Sequence, residues 1–239
     1  MELFERRWTS YRAVVEHDLM EHRGLAQATA AALQQWLDQR GENAERPTML
    51  DLGCGDLALL ATALRRLPLR RYVGLDLSAD VLPLAQQALG EAPFSSHWQQ
   101  GDLLAWAEAS SHGEAWLEQP DILHSAFAIH HLSDPQKERF LKGARQQIAP
   151  GGVFLWADVF RAADEPLDAY LQRYQRRIEQ GWEPLSTGAK AHVLEHMHQY
   201  DRPADRSVIQ AIAEAAGWRW RWIWQGSHQA EALAVLHPA

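Results

Sequence analysis

The sequence predicts an α/β fold: a mostly parallel sheet with helices on both faces and an antiparallel hairpin at its C-terminal end. Three observations carry this. From Pro47 to Val159, short apolar runs alternate with helical patterns, the rhythm of strands joined by crossover helices. A glycine turn, Gly53-Cys54-Gly55, ends the first such run and opens a helical stretch. Two later strand-like runs, Trp218–Trp224 and Ala230–Leu236, are separated by Gly226-Ser227, as in a hairpin.

Taken in order, residues 2–40 read as helical, because Phe4, Trp8, Tyr11, Val15 and Leu19 recur at three- and four-residue spacing. Gly24 is expected to divide this region, and Gly41–Pro47 is a polar break. Thr48–Leu52 is the first strand, followed by a helix over Leu57–Leu67. Arg71–Leu75 is the second strand, with Ser78 as N-cap of a helix reaching Leu89. Phe94–Gln99, Asp121–Ala128 and Val153–Val159 are the next three. Ser133 and Gln136 form a capping-box pattern with Pro135 in the first turn. Arg161–Arg202 is helical, with Leu167, Tyr170, Leu171, Tyr174 and Ile178 on one stripe, and its length suggests a cap over something. A last helix, Arg206–Ala216, precedes the hairpin. Alternation along a strand puts Trp218, Trp220, Trp222 and Trp224 on one face, read as a packed sheet face rather than a ligand-stacking surface. The expected organisation is a single domain over 1–239: an N-terminal helical cap (1–46), a core (47–160), a helical cap (161–203), and a terminal helix and hairpin (204–239).

Composition narrows the function. The 239 residues are 46% hydrophobic and 23% charged, which is ordinary globular usage and excludes a long disordered chain. No apolar run is long enough to span a bilayer, and the first residues lack a signal-peptide core. The single cysteine, Cys54, excludes an intrachain disulfide framework and a cysteine-built zinc site, so a cytoplasmic setting is expected. A net charge of −8 makes a poor general binder of phosphate backbones, so neither nucleic acid nor membrane is expected as partner. Eleven tryptophans require large buried contacts.

The glycine turn is the most informative stretch. Its glycines let backbone approach a ligand closely, and they also satisfy G-x-G-x-x-A, which suits a dinucleotide. The charges discriminate. Asp51 and Asp56 would face a pyrophosphate with like charge, but would attract a ligand carrying an ammonium and a sulfonium. Asp76, ending the second strand, can accept hydrogen bonds from two ribose hydroxyls. Asp102 can accept from an adenine amino group, with Leu77 and Leu103 supplying apolar ring contacts.

Here the sequence resembles the class I S-adenosylmethionine-dependent methyltransferases. The carrying residues are Leu50-Asp51-Leu52-Gly53-Cys54-Gly55, Gly74-Leu75-Asp76-Leu77-Ser78, Gly101-Asp102-Leu103 and Pro150-Gly151-Gly152, with Asp121–Leu132 as the fourth-strand region. The resemblance covers about residues 47–160 and implies a Rossmann-like, doubly wound sheet of seven strands, the last inserted antiparallel. It implies S-adenosyl-L-methionine as cofactor, held by Asp51, Gly53, Gly55, Asp76, Leu77, Asp102, Leu103 and Ser125. One departure is Leu57, where many relatives have a third glycine.

The implied reaction is an in-line methyl transfer to a small-molecule acceptor, which mainly requires alignment and exclusion of water. A general base is needed only if the acceptor must lose a proton. Ligands of such sheets sit beyond the C-terminal strand ends, which places Ser125, Phe127, His130, His131, Asp158 and Arg161 near the methyl group. His130, His131 and Tyr11 are the catalytic candidates. His192 and His196 share a helix face while His198 points elsewhere, so no metal is expected. Arg173, Arg176 and Arg177 are read as a solvated face before an acid-binding one. The alternatives are an RNA or protein methyltransferase, a nicotinamide-dependent oxidoreductase, and a non-catalytic binding protein. Asn-Pro-Pro-Tyr-like residues, typical of relatives acting on planar amino groups, are replaced by Ser125-Ala126-Phe127-Ala128.

Overall fold

A computed structural model describes residues 11–41, 44–58, 60–109 and 119–239. Its sheet is built from β1 (Thr48–Leu52), β2 (Arg71–Asp76), β3 (Ser95–Gln100), β4 (Ile122–Ala126), β5 (Val153–Arg161), β6 (Ala204–Asp205), β7 (Trp218–Gln225) and β8 (Glu231–Pro238). The continuous path runs β3-β2-β1-β4-β5-β8-β7. The first five of these are parallel, and β8 lies antiparallel between β5 and β7. The expected seven strands form this path. The two-residue β6, beside Phe160 and Arg161, brings the sheet to eight. β1 is buried at every residue, as a central strand covered on both faces must be, whereas the edge strand β3 is polar and half-exposed.

The helices are α1 (His22–Gln39), α2 (Ala61–Leu64), α3 (Leu82–Leu89), α4 (Leu103–Glu108), α5 (Asp134–Gln147), α6 (Leu167–Gly181), α7 (Thr187–Tyr200) and α8 (Arg206–Ala215). One core joins α4, α5 and α8 to the sheet through Trp106, Phe140, Ile209, Trp156, Trp218 and Trp220. A second joins α1, α2 and α3 through Leu33, Trp36, Leu64, Ala85 and Tyr72. A third lies under α6 and α7, around Tyr170, Tyr174, Ile178, Trp182 and Met197.

Several local expectations change. Phe4 and Trp8 lie outside the described residues; residues 11–16 are helical. The break before α1 falls not at Gly24 but at residues 17–21, where Asp18 and Glu21 take φ of 56° and 55°. Gly24 sits inside α1, and a Cβ there would lie 3.1 Å from the Trp224 ring. The helix expected from Leu57 shrinks to α2, because Gly53, Gly55 and Leu57 all have positive φ and hold the chain in turns. Ser78 caps no helix: Asp76 Oδ1 takes its N–H at 2.9 Å, and α3 starts at Leu82. The capping box at Ser133 forms, with Ser133 N donating to Gln136 Oε1 at 2.8 Å. The four tryptophans of β7 do not share a face. A bulge between Trp222 and Trp224 turns Trp224 into the α1 core, while the other three stay in the α8 core.

Candidate active site

The C-terminal ends of β1 and β2 build the first half of the site. Gly53 has φ +75°, and a Cβ there would stand 2.4 Å from Ala128 Cβ, so only glycine fits. The N–H groups of Gly53 and Cys54 both donate to Leu75 O, at 2.8 and 3.0 Å, folding the turn against β2. Gly55 N donates to Asp76 Oδ2 at 2.9 Å. Asp76 thus receives two backbone N–H groups, yet its burial outweighs them and raises its pKa. Asp51 is fully buried: Tyr72 Oη donates to Oδ2 at 2.8 Å, and His124 Nδ1 lies 2.7 Å from Oδ1. Burial and the Asp51 charge hold the Tyr72 phenol protonated, with its pKa well above the usual value. Leu57 also has a glycine-like backbone, φ 56°.

A cleft of about 90 Å³ lies against this turn, lined by Tyr11, His22, Asp51, Gly53, Gly55 and Phe127 among others. Beside it opens a second cavity of about 360 Å³ beneath α6 and α7. Tyr11, His22 and Phe127 line both, so the two spaces adjoin. His22 is buried 5.0 Å from the Phe127 ring, and its Nδ1 has no hydrogen-bond partner among the described residues. Desolvation lowers its pKa to about 4, so the ring is neutral at pH 7.

The walls of the larger cavity are aromatic and apolar: Tyr170, Tyr174, Ile178, Trp182, Met20 and Met197. Its polar end is a cluster fixed by the turn Ile129–His131 and the end of α7. His130 Nδ1 lies 2.5 Å from Asp158 Oδ1, and His130 N donates to Asp158 Oδ2 at 3.1 Å. Trp156 Nε1 and Val159 N also donate to that carboxylate, at 3.0 and 2.9 Å. Asp201 Oδ1 stands 3.5 Å from His130 Nε2, 3.5 Å from His131 Nδ1 and 3.7 Å from His196 Nε2. Burial opposes charge on His130, but Asp158 and Asp201 overcome it and raise its pKa to about 10. His131 is lowered to about 4 by enclosure and by the charge on His130.

The structure therefore brings Tyr11, Asp51, Gly53 and Gly55 around one space and His130 and His131 around the next. Asp76 joins the first through Gly55. Leu77, Asp102 and Leu103 stand just past the ends of β2 and β3 and do not line the cleft; Leu77 is 69% exposed. Asp102 Oδ1 caps α4, accepting from Leu104 N and Ala105 N at 2.7 and 2.9 Å. Ser125 faces neither space: its hydroxyl donates to Leu52 O at 2.7 Å inside the sheet. Arg161 donates to the Pro203 and Glu165 carbonyls, Arg173 pairs with Glu165 and Arg177 with Glu231. His198 points to Gln175 on the outside, whereas His192 and His196 line the larger cavity. Asp201 and His124 went unread in the sequence. Asp201 has no local signature beyond following a histidine-rich helix, and His124 is marked only by an imidazole within an otherwise apolar strand.

Residues 50–154 match the family described as methyltransferase domain. The trans-aconitate 2-methyltransferase of Azoarcus sp. (strain BH72) is 33% identical over 144 residues, covering 60% of this chain and 49% of that protein. An uncharacterised methyltransferase of Mycobacterium tuberculosis is 34% identical over 106 residues, 44% of this chain and 47% of that protein. The chain spans about half the length of these relatives. A crystal structure of a TehB-like SAM-dependent methyltransferase from Corynebacterium glutamicum superposes with TM-score 0.55 at 17% identity, covering 100% of this chain and 97% of that one. The ordered strand-end motifs and the sheet with one inserted antiparallel strand agree with these matches: residues 50–154 are similar to the methyltransferase domain family, and the chain shares the fold of that solved methyltransferase.

Proposed function

We propose that the protein transfers a methyl group from S-adenosylmethionine to a small, largely aromatic or apolar acceptor bearing one polar group. The observation that carries this is the adjoining of the two cavities across Tyr11, His22 and Phe127, beyond the C-terminal strand ends. In this reading the amino-acid end of the cofactor occupies the cleft by Asp51, Gly53 and Gly55. The ribose lies at Asp76, and the adenine lies between Leu77 and Leu103 with the second oxygen of Asp102 at its amino group. Ser125 supports the cofactor only by holding β4 to β1. The sulfonium then points through the shared wall at an acceptor in the larger cavity, with Tyr11 aligning the two.

Among the described residues, no lysine or arginine lines that cavity. A tricarboxylate such as the Azoarcus relative's name implies would find there only His130, whose charge Asp158 and Asp201 already balance, which favours an acceptor with little negative charge. His130 is held charged between two carboxylates and His131 is a weak base, so neither is poised to take a proton near neutral pH. Rate enhancement then comes from alignment and dryness. The acidic chain and the roofed cavity disfavour nucleic acid as acceptor, and a buried free Cys54 suits the cytoplasm.

Isothermal calorimetry tests the reading. S-adenosylhomocysteine should bind one per chain, and Asp76→Ala should weaken it at least ten-fold, because a buried ribose hydrogen-bond pair is lost. Binding of NADH with none of either nucleoside would replace the reading with a dehydrogenase.

A further inference from the structure

We propose that His130, His131 and Asp201 form a binding site for a divalent transition-metal ion of the zinc type at the polar end of the larger cavity. Their donor atoms are His130 Nε2, His131 Nδ1 and Asp201 Oδ1, all within 4.8 Å of one another. Both nitrogens stand 3.5 Å from the same oxygen. That is long for a charged hydrogen bond, which runs about 2.7–2.9 Å. It matches the edge of a coordination tetrahedron, since two atoms each about 2.0–2.1 Å from an ion lie about 3.3–3.4 Å apart. Asp201 Oδ1 is buried and has no hydrogen-bond partner of standard geometry among the described residues.

The surroundings are those of a ligand set. His130 turns Nδ1 to Asp158, which leaves Nε2 aimed at Asp201 and the cavity. A carboxylate behind a histidine in this way fixes the ring and raises its basicity as a metal ligand. Asp158 is itself immobilised by three N–H donors, from His130, Trp156 and Val159. The segment carrying Asp201 is stitched to the turn carrying the histidines: Arg202 N donates to His130 O at 2.8 Å, and the buried Lys137 Nζ donates to both Leu132 O and Arg202 O at 2.5 Å. Two carboxylates, Asp158 and Asp201, flank His130, so the polar end of the cavity attracts a cation. Two histidines and one carboxylate leave coordination positions open. These face the cavity, next to His196 and His192. The role of the ion rests on the methyl-transfer reading: it would anchor the polar group of the acceptor and favour its deprotonated form.

The test uses tag-free protein stripped with EDTA and dialysed. Titration with Zn²⁺, followed by a competing chromophoric chelator, should give one ion per chain. His131→Ala and Asp201→Asn should each weaken it at least ten-fold, while His198→Ala, on the outer face of α7, should not change it. Co²⁺ should develop the visible absorption of a low-coordinate site, reversed by added Zn²⁺. Absence of both signals in the wild-type protein, or wild-type affinity in cooperatively melting His131→Ala and Asp201→Asn, overturns the site. The wild-type Co²⁺ spectrum decides even if a variant fails to fold. S-adenosylhomocysteine calorimetry on the same sample separates the two readings: zinc binding without nucleoside binding removes the methyltransferase reading and leaves the metal site standing.

Discussion

At the scale of one residue, Leu57 holds a backbone that glycine adopts more readily. Its φ of 56° costs a leucine about 1–2 kcal/mol relative to glycine, and its burial against the α1 core offsets that. Leu57→Ala keeps the strain and loses the packing; Leu57→Gly loses the packing and sheds the strain. The glycine variant should therefore be the more stable of the two by about 1 kcal/mol in urea denaturation, inverting the usual order of alanine over glycine. His22 yields a pH prediction. Its folded pKa of about 4 lies below the ordinary 6.5, so between those values the unfolded chain binds a proton that the folded chain does not. Its contribution is complete above pH 6.5 and is lost as pH falls toward 4, a swing of about 3 kcal/mol. The stability difference between wild type and His22→Phe, measured across that range, should change accordingly; a pH-independent difference would contradict it.

Elements meet the site through a few buried polar contacts. Arg177 of α6 donates to both oxygens of the fully buried Glu231 on β8, at 2.7 and 3.0 Å, and to Leu19 O at 2.8 Å. Tyr174 Oη donates to the same carboxylate at 2.8 Å. This clamp holds the cavity roof to the sheet and to the N-terminal segment. Arg177→Met should cost about 3–5 kcal/mol, because it strands a buried carboxylate, and Arg177→Met/Glu231→Gln should recover part of that loss in thermal denaturation. Sequence reading took the arginines of α6 as a solvated face, since periodicity reports a stripe and not its partner 54 residues away. The strands and the glycine turn were legible because alternation and backbone punctuation are local. The flip of Trp224 was not: a bulge adds one residue to a ladder and leaves no mark in composition. Ser78 misled as a cap because the helix starts only at Leu82, with Val81 at its N-cap, past the reach of the Ser78 hydroxyl.

Across the molecule, the turn at the ends of β1 and β2 was legible from motifs at consecutive strand ends, while the cavity beneath α6 and α7 showed in the sequence only as a list of histidines. The cluster at Asp201 draws on β5, the turn after β4 and the end of α7, and only tertiary folding brings these together. The order of the strands also bears on synthesis. β8 fills the interior position between β5 and β7, so one edge of β5 has nothing to pair with until residues 231–238 leave the ribosome. For on the order of seconds the nascent chain carries an open, strongly hydrophobic ladder, VFLWADVF, of the kind that recruits other chains. Chaperone demand during translation, more than the strength of the finished sheet, is where this arrangement exposes the protein.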